Sequence, residues 1–419
     1  MSIKQSIRLI KVDVEGNNNK FWNGDLYEDG HYEANWGRVG ARGQSGSYQG
    51  ESKFNSKIRS KKKDGYVEQK TIQEDTVVEV KQGDLKDITK TQIQTDSPVL
   101  DKLLDRLIKA NIHQITSNTN IKFDAGTGVF QTPLGIVTLE GIKEASAILD
   151  ELYDHLKNKG DGFYTQVNEY LKIVPQKVGR NVKEFIDSTF SSADDIRKQK
   201  DLLDSLEVSF NTFKSATKDT TTSSDDVKVE QEKVFDVDIE VLEDKKEYKR
   251  LEDNFYATKK SMHNYSNVKV KQIYTVKLGE MDRNFDKEKW GNVQEFYHGT
   301  GIANCLSIMK SGLKTAPPSS AHIAGKMFGN GIYGANCASK SLGYSLGRWG
   351  QGRSNDGAWL FVCDFAMGKE DFVRTTCRKP KSGCDSVSAL ARNTSLYNDE
   401  FIVYKNAQVN IKYLIECSS

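Results

Sequence analysis

Residues 327–341 read MFGNGIYGANCASKS. Gly329, Gly331 and Gly334 have the spacing of the Gly-rich turn that cradles a dinucleotide pyrophosphate. That turn needs a buried strand directly before it and a carboxylate about 20 residues on. The preceding AHIAGKMF is a poor strand, and Asp356 lies near that distance but inside the Gly-rich GQGRSNDG. A doubly wound, hydride-transferring domain is therefore not expected. Outward from this stretch the apolar pattern has period two. Val268, Val270, Tyr274, Val276 and Leu278 alternate with polar residues, 359–365 is a short apolar run, and VNIKYLI at 409–415 alternates cleanly. No strand–helix–strand rhythm is visible. Residues 232–419 are expected to form a mixed, mainly antiparallel α/β domain.

Toward the N-terminus the period changes. After Ser97-Pro98, residues Leu100, Leu103, Leu104, Leu107 and Ile108 fall on one face of a helix. A second helix is expected from Thr138 with Ile142, Ala145, Leu149, Leu152 and Leu156. A third carries Val167, Tyr170, Leu171 and Val174, and a fourth Ile196, Leu203, Leu206 and Phe210. Successive amphipathic helices must pack together, so a helical bundle is expected here. Residues 1–70 read as β-rich, with Phe21, Trp22, Tyr27, Tyr32, Trp36 and Tyr48 between Gly and Asn punctuation and no persistent helical period. The fold class is thus α+β multidomain: 1–72 small and β-rich, 73–93 a linker, 94–228 all-α, and 232–419 mixed α/β. The apolar-poor KSATKDTTTSSDD at 214–226 marks a boundary.

Composition narrows the class. The chain has 419 residues, 28% of them charged and only 6 of them Pro, which excludes collagen-like and Pro-rich chains. No run approaches the ~18 apolar residues needed to span a bilayer. The opening MSIKQSIRLIKVDVEG lacks the apolar core of a secretory signal, so an intracellular chain without a membrane partner is expected. Six cysteines, at 305, 337, 363, 377, 384 and 417, include no C-x-x-C pair; reduced thiols and no metal are expected. The net charge of +2 implies nothing globally. Locally, residues 35–63 hold eight basic side chains against Glu51 alone, which makes them a candidate anion-binding face.

Several motifs recur in order. Tyr297-His298-Gly299-Thr300 is followed by GLKTAPP at 312–318, MFGNGIYGA with Tyr333, Ser339-Lys340-Ser341, Tyr344, and finally NDEFIVYKNAQVNIKYLI at 398–415. Singly each has an ordinary structural explanation. Together they resemble the catalytic domain of the poly(ADP-ribose) polymerases. Asn35-Trp36-Gly37-Arg38-Val39-Gly40, with KKKDGYVE at 61–68, resembles the WGR domain of the DNA-damage-responsive members. Thr132-Pro133-Leu134-Gly135 and the helix after it resemble their helical regulatory domain. The order matches short members without zinc fingers.

The resemblance implies a substrate, NAD+, and a site. His298, Tyr333 and Glu400 would form the catalytic set. Glu400 would accept from the ribose 2′-hydroxyl and polarise the acceptor. Tyr344 would stack on nicotinamide, with Tyr333 walling the other side. Gly299 and Ser341 would meet the carboxamide, and His298 and Thr300 the adenosine ribose. Lys340 would support Glu400. Ser307 and Lys314 would also line the NAD+ site, although Ser307 stands where some members have Gly, and Lys314 where Arg is common. Trp36, Arg38, Arg42, Lys61, Lys62 and Lys63 would hold DNA strand breaks or ends. The expected activity is DNA-break-activated ADP-ribosylation of the chain itself and nearby proteins. Localisation would be nuclear in a eukaryote, and cytoplasmic or nucleoid-associated in a bacterial or viral setting. The segment between Val373 and Glu400, which shapes the acceptor site in the family, is short, so polymer and single-unit transfer both stay open. A non-catalytic DNA-end-binding scaffold is the alternative from another class.

Overall fold

The computed structural model describes residues 2–68, 89–90, 92–93, 97–119, 122–124, 129–132, 135–136, 138–156, 159–217, 235–315, 327–346 and 357–418. Most of the expected linker 73–93 and of the boundary 214–226 lies outside them, as do Pro133, Leu134, Asp356 and residues 316–318. The chain divides into two compact units, 1–85 with 112–229 and 86–111 with 230–419.

In the first unit, strands β1 (Ile3–Asp13), β2 (Asn18–Tyr27), β3 (His31–Arg38), β4 (Gln44–Gln49) and β5 (Val67–Glu68) form an antiparallel sheet in the order β4-β3-β2-β1-β5. Alternation puts Leu9, Trp22, Leu26, Tyr32 and Ala34 on one buried face. Helix α1 (Glu51–Lys63) covers that face with Phe54 and Ile58. The sequence reading expected only strands here. Two buried residues one turn apart are too thin a stripe to stand out among so many lysines. Lys61, Lys62 and Lys63 fall in the last turn of α1, where cations suit the helix dipole.

Helix α2 (Pro98–Asn118) buries the expected Leu100, Leu103, Leu104, Leu107 and Ile108. Its residues through Asn111 belong to the second unit and those from Ile112 to the first. Between α2 and the next helix lies a small sheet absent from the sequence reading: β6 (Lys122–Asp124), β7 (Val129–Thr132) and β8 (Gly135–Ile136). Helix α3 (Leu139–His155) starts where Thr138 caps it, the hydroxyl accepting from Gly141 N at 3.0 Å. It buries Ile142, Ala145, Leu149 and Leu152. Then come α4 (Asp161–Ile173), the unexpected short α5 (Val182–Thr189), and α6 (Ala193–Thr217). The sheet and these helices join through backbone groups. Val14 N donates to Asn168 Oδ1 at 2.9 Å, and the buried Asn19 amide donates to Gln176 O at 3.0 Å.

The second unit has two sheets. Strands β9 (Val237–Val241), β10 (Lys269–Leu278), β11 (Val293–Thr300), β13 (Ala358–Ala366) and β17 (Val409–Ser418) form an antiparallel sheet in the order β11-β13-β17-β10-β9. β13 is buried on both faces except at Asp364, which is why its sequence is a continuous apolar run rather than an alternation. Strands β12 (Ile332–Gly334), β14 (Glu370–Phe372), β15 (Ser386–Ala389) and β16 (Glu400–Val403) form the other sheet in the order β12-β16-β15-β14. In it, β14 and β15 run parallel. A two-way backbone bridge between Tyr297 and Ala335 connects the two sheets. Helices α7 (Lys245–Ala257), α8 (Ile302–Ser311) and α9 (Ala338–Ser345) pack on this framework. The α2 portion in this unit is anchored by Arg106, which stacks 4.9 Å from the Trp359 ring and pairs with the buried Glu416.

Candidate active site

Three strands and one helix converge because of the pairings just described. Antiparallel pairing of β12 with β16 sets Tyr333 opposite Ile402 and Gly334 opposite Phe401. One residue further, Ala335 leaves that ladder and bonds Tyr297 in β11. The segments carrying His298, Tyr333 and Glu400 are thereby stitched together by backbone hydrogen bonds, although they lie far apart in sequence. His298 is held by its Nδ1, which lies 3.0 Å from the Tyr333 carbonyl. A carbonyl only accepts, so Nδ1 carries the proton.

The Tyr333 hydroxyl accepts from Phe328 N at 3.0 Å and donates to Gly329 O at 2.9 Å. Tyr404 donates to Phe328 O from the other side. Two tyrosines thus strap the Gly-rich turn, and burial pushes the Tyr333 phenol well above its ordinary range. The glycines of that turn answer packing rather than a pyrophosphate. Gly329 has φ +84°, and a Cβ there would fall 1.9 Å from the Arg378 carbonyl oxygen. The chain then enters strand β12, not a helix.

Helix α9 lies against β11 in a contact that only glycine permits. A Cβ on Gly299 would sit 1.9 Å from the Ser341 carbonyl oxygen. Ser341 is buried and donates to Tyr297 O at 3.4 Å. Tyr344, one turn on, is 39% exposed. Thr300, at the end of β11, is buried. Ser307 lies inside α8, where its hydroxyl donates to Asn304 O at 2.9 Å, and Lys314 is exposed beyond that helix. These two are therefore on a separate element from the convergent group.

The electrostatic centre is the pair Lys340–Glu400. Lys340 Nζ donates to Glu400 Oε1 at 2.7 Å and to Asp399 O at 3.2 Å. Both side chains are about nine-tenths buried. Burial pushes the Lys340 ammonium below its ordinary range, and the Glu400 carboxylate pushes it only part of the way back. Glu400 Oε2 is buried and has no hydrogen-bond partner among the described residues. A desolvated carboxylate oxygen in this state is a strong acceptor for an incoming hydroxyl. Among the described residues, no group of three or more His, Cys, Asp or Glu could hold a metal ion.

Three residues that build this centre have no role in the sequence reading, which quotes Asn398 and Asp399 only as part of a motif and does not single out His263. Asp399 braces it by accepting from Asn336 Nδ2 at 3.0 Å and from Ala391 N at 2.8 Å. His263 and Asn398 lie behind the pair, linked Nε2 to Nδ2 at 3.0 Å. Nothing in SMHN marks His263 locally, because its partners lie 76 and 135 residues away.

The candidate nucleic-acid face lies in the first unit. Trp36 sits in β3 between Trp22 and Gln44 and is partly buried on the core cluster. Arg42 is exposed. On α1, Lys63 is exposed, Lys62 pairs with Glu68 at 2.6 Å, and Lys61 lies 4.7 Å over the Tyr66 ring. Arg38 is directed elsewhere. Its guanidinium donates to Val178 O, Gly179 O, Asn17 O and Asn17 Oδ1, the first two belonging to the helical region.

Comparison with known proteins matches three successive segments. Residues 5–73 match the WGR domain, 100–231 the poly(ADP-ribose) polymerase regulatory domain, and 245–395 the poly(ADP-ribose) polymerase catalytic domain. Poly [ADP-ribose] polymerase 2-A of Oryza sativa subsp. japonica is 26% identical over 97% of this chain and 69% of its own length. Protein mono-ADP-ribosyltransferase PARP3 of Homo sapiens is 24% identical over 97% of this chain and 86% of its own. Poly [ADP-ribose] polymerase of Sarcophaga peregrina is 26% identical over 68% of this chain, which spans only 31% of that relative's length. With its three matched segments in this order, the chain belongs to the poly(ADP-ribose) polymerase family.

Proposed function

We propose that the chain is a DNA-break-activated ADP-ribosyltransferase that consumes NAD+ and builds poly(ADP-ribose) on itself and on nearby proteins. The observation that carries the reading is the Glu400 carboxylate, with one oxygen on Lys340 and the other buried without a partner among the described residues. The nicotinamide–ribose C–N bond breaks with its electron pair leaving on nicotinamide. The anomeric carbon becomes oxocarbenium-like, and a 2′-hydroxyl bonded to Glu400 Oε2 helps spread that charge. The acceptor oxygen then supplies the electron pair for the new C–O bond, and its proton leaves toward Glu400 or solvent. His298 and Thr300 would hold the adenosine ribose, with Ser307 and Lys314 at that end. Gly299 and Ser341 would meet the carboxamide, and Tyr333 and Tyr344 would flank the ring.

Trp36, Arg42, Lys61, Lys62 and Lys63 would hold the DNA end, and the exposed lysines of α1 suit phosphate rather than base readout. Arg38, bonded to the carbonyls of Val178 and Gly179, would pass the bound state on to the helical region. That region would restrain the catalytic domain until DNA is present. The proposed organisation is a WGR domain at 1–72, a linker at 73–93, a regulatory domain at 94–228 and a catalytic domain at 232–419. A nuclear location follows for a eukaryotic source, and the relatives compared are eukaryotic.

The test is nicotinamide release from NAD+ by the full chain, with nicked and with closed circular DNA. Turnover raised by nicked DNA only, with a product ladder on a denaturing gel, is the expected result. Absence of turnover in either condition overturns the reading in favour of a DNA-end scaffold. A single product band would support the second reading, single-unit transfer, which the human relative's name favours.

A further inference from the structure

The Lys340–Glu400 pair is assembled from two segments that share no ladder. Lys340 lies in helix α9, and Glu400 opens strand β16 after the irregular stretch 390–399. Holding this 2.7 Å pair within about 0.5 Å of one productive geometry depends on how firmly both segments are located. Asp399 O, held by the same ammonium, fixes one side. The other side is fixed by an imidazole.

His263 ends the 3₁₀ turn Ser261–His263 and is only 7% exposed. Its Nδ1 lies 2.8 Å from Ser339 Oγ, and Ser339 is the residue before Lys340. Its Nε2 lies 3.0 Å from Asn398 Nδ2, and Asn398 is two residues before Glu400. Ser339 and Asn398 are themselves buried. Hydrogen-bond direction fixes the tautomer of the ring. Asn398 donates to Nε2, so Nδ1 carries the hydrogen and donates to Ser339 Oγ. That oxygen also accepts from Lys260 N at 2.8 Å, and its own hydrogen can point to Cys337 Sγ at 3.3 Å. The ring is thus bonded at both nitrogens to buried side chains on the two segments that carry Lys340 and Glu400.

We propose that His263 is a positioning residue for the reaction: one ring, bonded at both nitrogens, sets the spacing between the segment that delivers Lys340 and the segment that delivers Glu400. The inference rests on the reading of Glu400 as the catalytic carboxylate. It deepens that reading by assigning the distance within the pair to a residue that touches neither member. A shift of about 1 Å at a reacting group costs up to a hundredfold in rate. Removing the ring should therefore act on turnover rather than on NAD+ binding.

The experiment uses the full chain with nicked DNA and measures nicotinamide release for His263→Ala, His263→Gln and Ser339→Ala, each alone and combined with Glu400→Gln. For His263→Ala we expect kcat to fall roughly 10- to 100-fold with KM within about threefold of the parent. His263→Gln, which keeps an amide near the position of Nε2, should recover part of the loss. In the Glu400→Gln background, His263→Ala should lower the residual rate by less than about threefold, because both changes act through one carboxylate. Parental kcat in His263→Ala, or the same fold loss with and without Glu400, overturns the positioning role. Should His263→Ala not fold, Ser339→Ala breaks the same link while leaving the imidazole in place, and is judged by the same two criteria. A Glu400→Gln variant with parental turnover would instead refute the reading of Glu400, whatever the His263 variants do.

Discussion

Replacing Glu400 by Gln keeps the shape and one acceptor oxygen but removes the charge that Lys340 meets at 2.7 Å. Two consequences follow, and they are separately measurable. The first is kinetic. Losing one preorganised electrostatic partner of the transition state costs roughly 3–4 kcal/mol, on the order of a hundred- to thousandfold in kcat. The second is a stability effect with a definite pH dependence. Removing one member of a buried pair costs about 3–5 kcal/mol, and the retained amide oxygen places this case near the lower figure. Burial already pushes the Lys340 ammonium down, and Glu400 is what pushes it back up. Without the carboxylate the folded-state value falls further. Between that lowered value and the ordinary 10.5, the unfolded chain binds a proton that the folded chain does not. Stability therefore rises with pH across this window, by up to about 1.4 kcal/mol per pH unit. The deficit of Glu400→Gln relative to the parent should shrink between neutral pH and an alkaline pH still below the ordinary 10.5 of lysine. The assays are nicotinamide release at saturating NAD+ and urea denaturation at both pH values. A rate within threefold of the parent refutes the catalytic assignment. A deficit that stays constant with pH refutes the account of Lys340 as a desolvated ammonium held charged by its partner.

Other substitutions test the framework. Tyr333→Phe removes the hydroxyl that accepts from Phe328 N, leaving that amide without its partner; a loss of about 1–3 kcal/mol in urea melts is expected, with KM for NAD+ rising more than kcat falls. Gly299→Ala drives a Cβ into the Ser341 carbonyl, so α9 must move; roughly 1–3 kcal/mol of stability should be lost, and NAD+ turnover should fall even in the folded fraction. Arg38→Ala deletes the donors to Val178 O and Gly179 O, and amide exchange in 176–180 should accelerate; unchanged exchange there would show that the joint is not held by this side chain.

Much of the architecture was written in local pattern. The apolar stripes of α2, α3, α4 and α6 and the alternation of β10 and β17 mark their own buried faces, because burial of one face is a constraint every few residues must meet. The basic helix α1 escaped because it buries only Phe54 and Ile58, and the small sheet β6–β8 because its strands are two to four residues long. The division of α2 at Asn111 was equally hidden, since one unbroken amphipathic stripe gives no hint of which unit each end joins.

The sequence by itself determined which chemical groups are present: an imidazole, a phenol, an ammonium and a carboxylate in motifs specific enough to name the family and to propose NAD+ as substrate. Tertiary structure alone decided how they meet. It placed Glu400 Oε1 on Lys340 with Oε2 buried beside it, assigned Arg38 to backbone carbonyls of the helical region, and put His263 behind the reactive pair. The physical reason is range. Periodicity and capping act within a few residues and leave their mark on composition. A hydrogen bond across 135 residues constrains only two positions, and neither carries a local sign of the other.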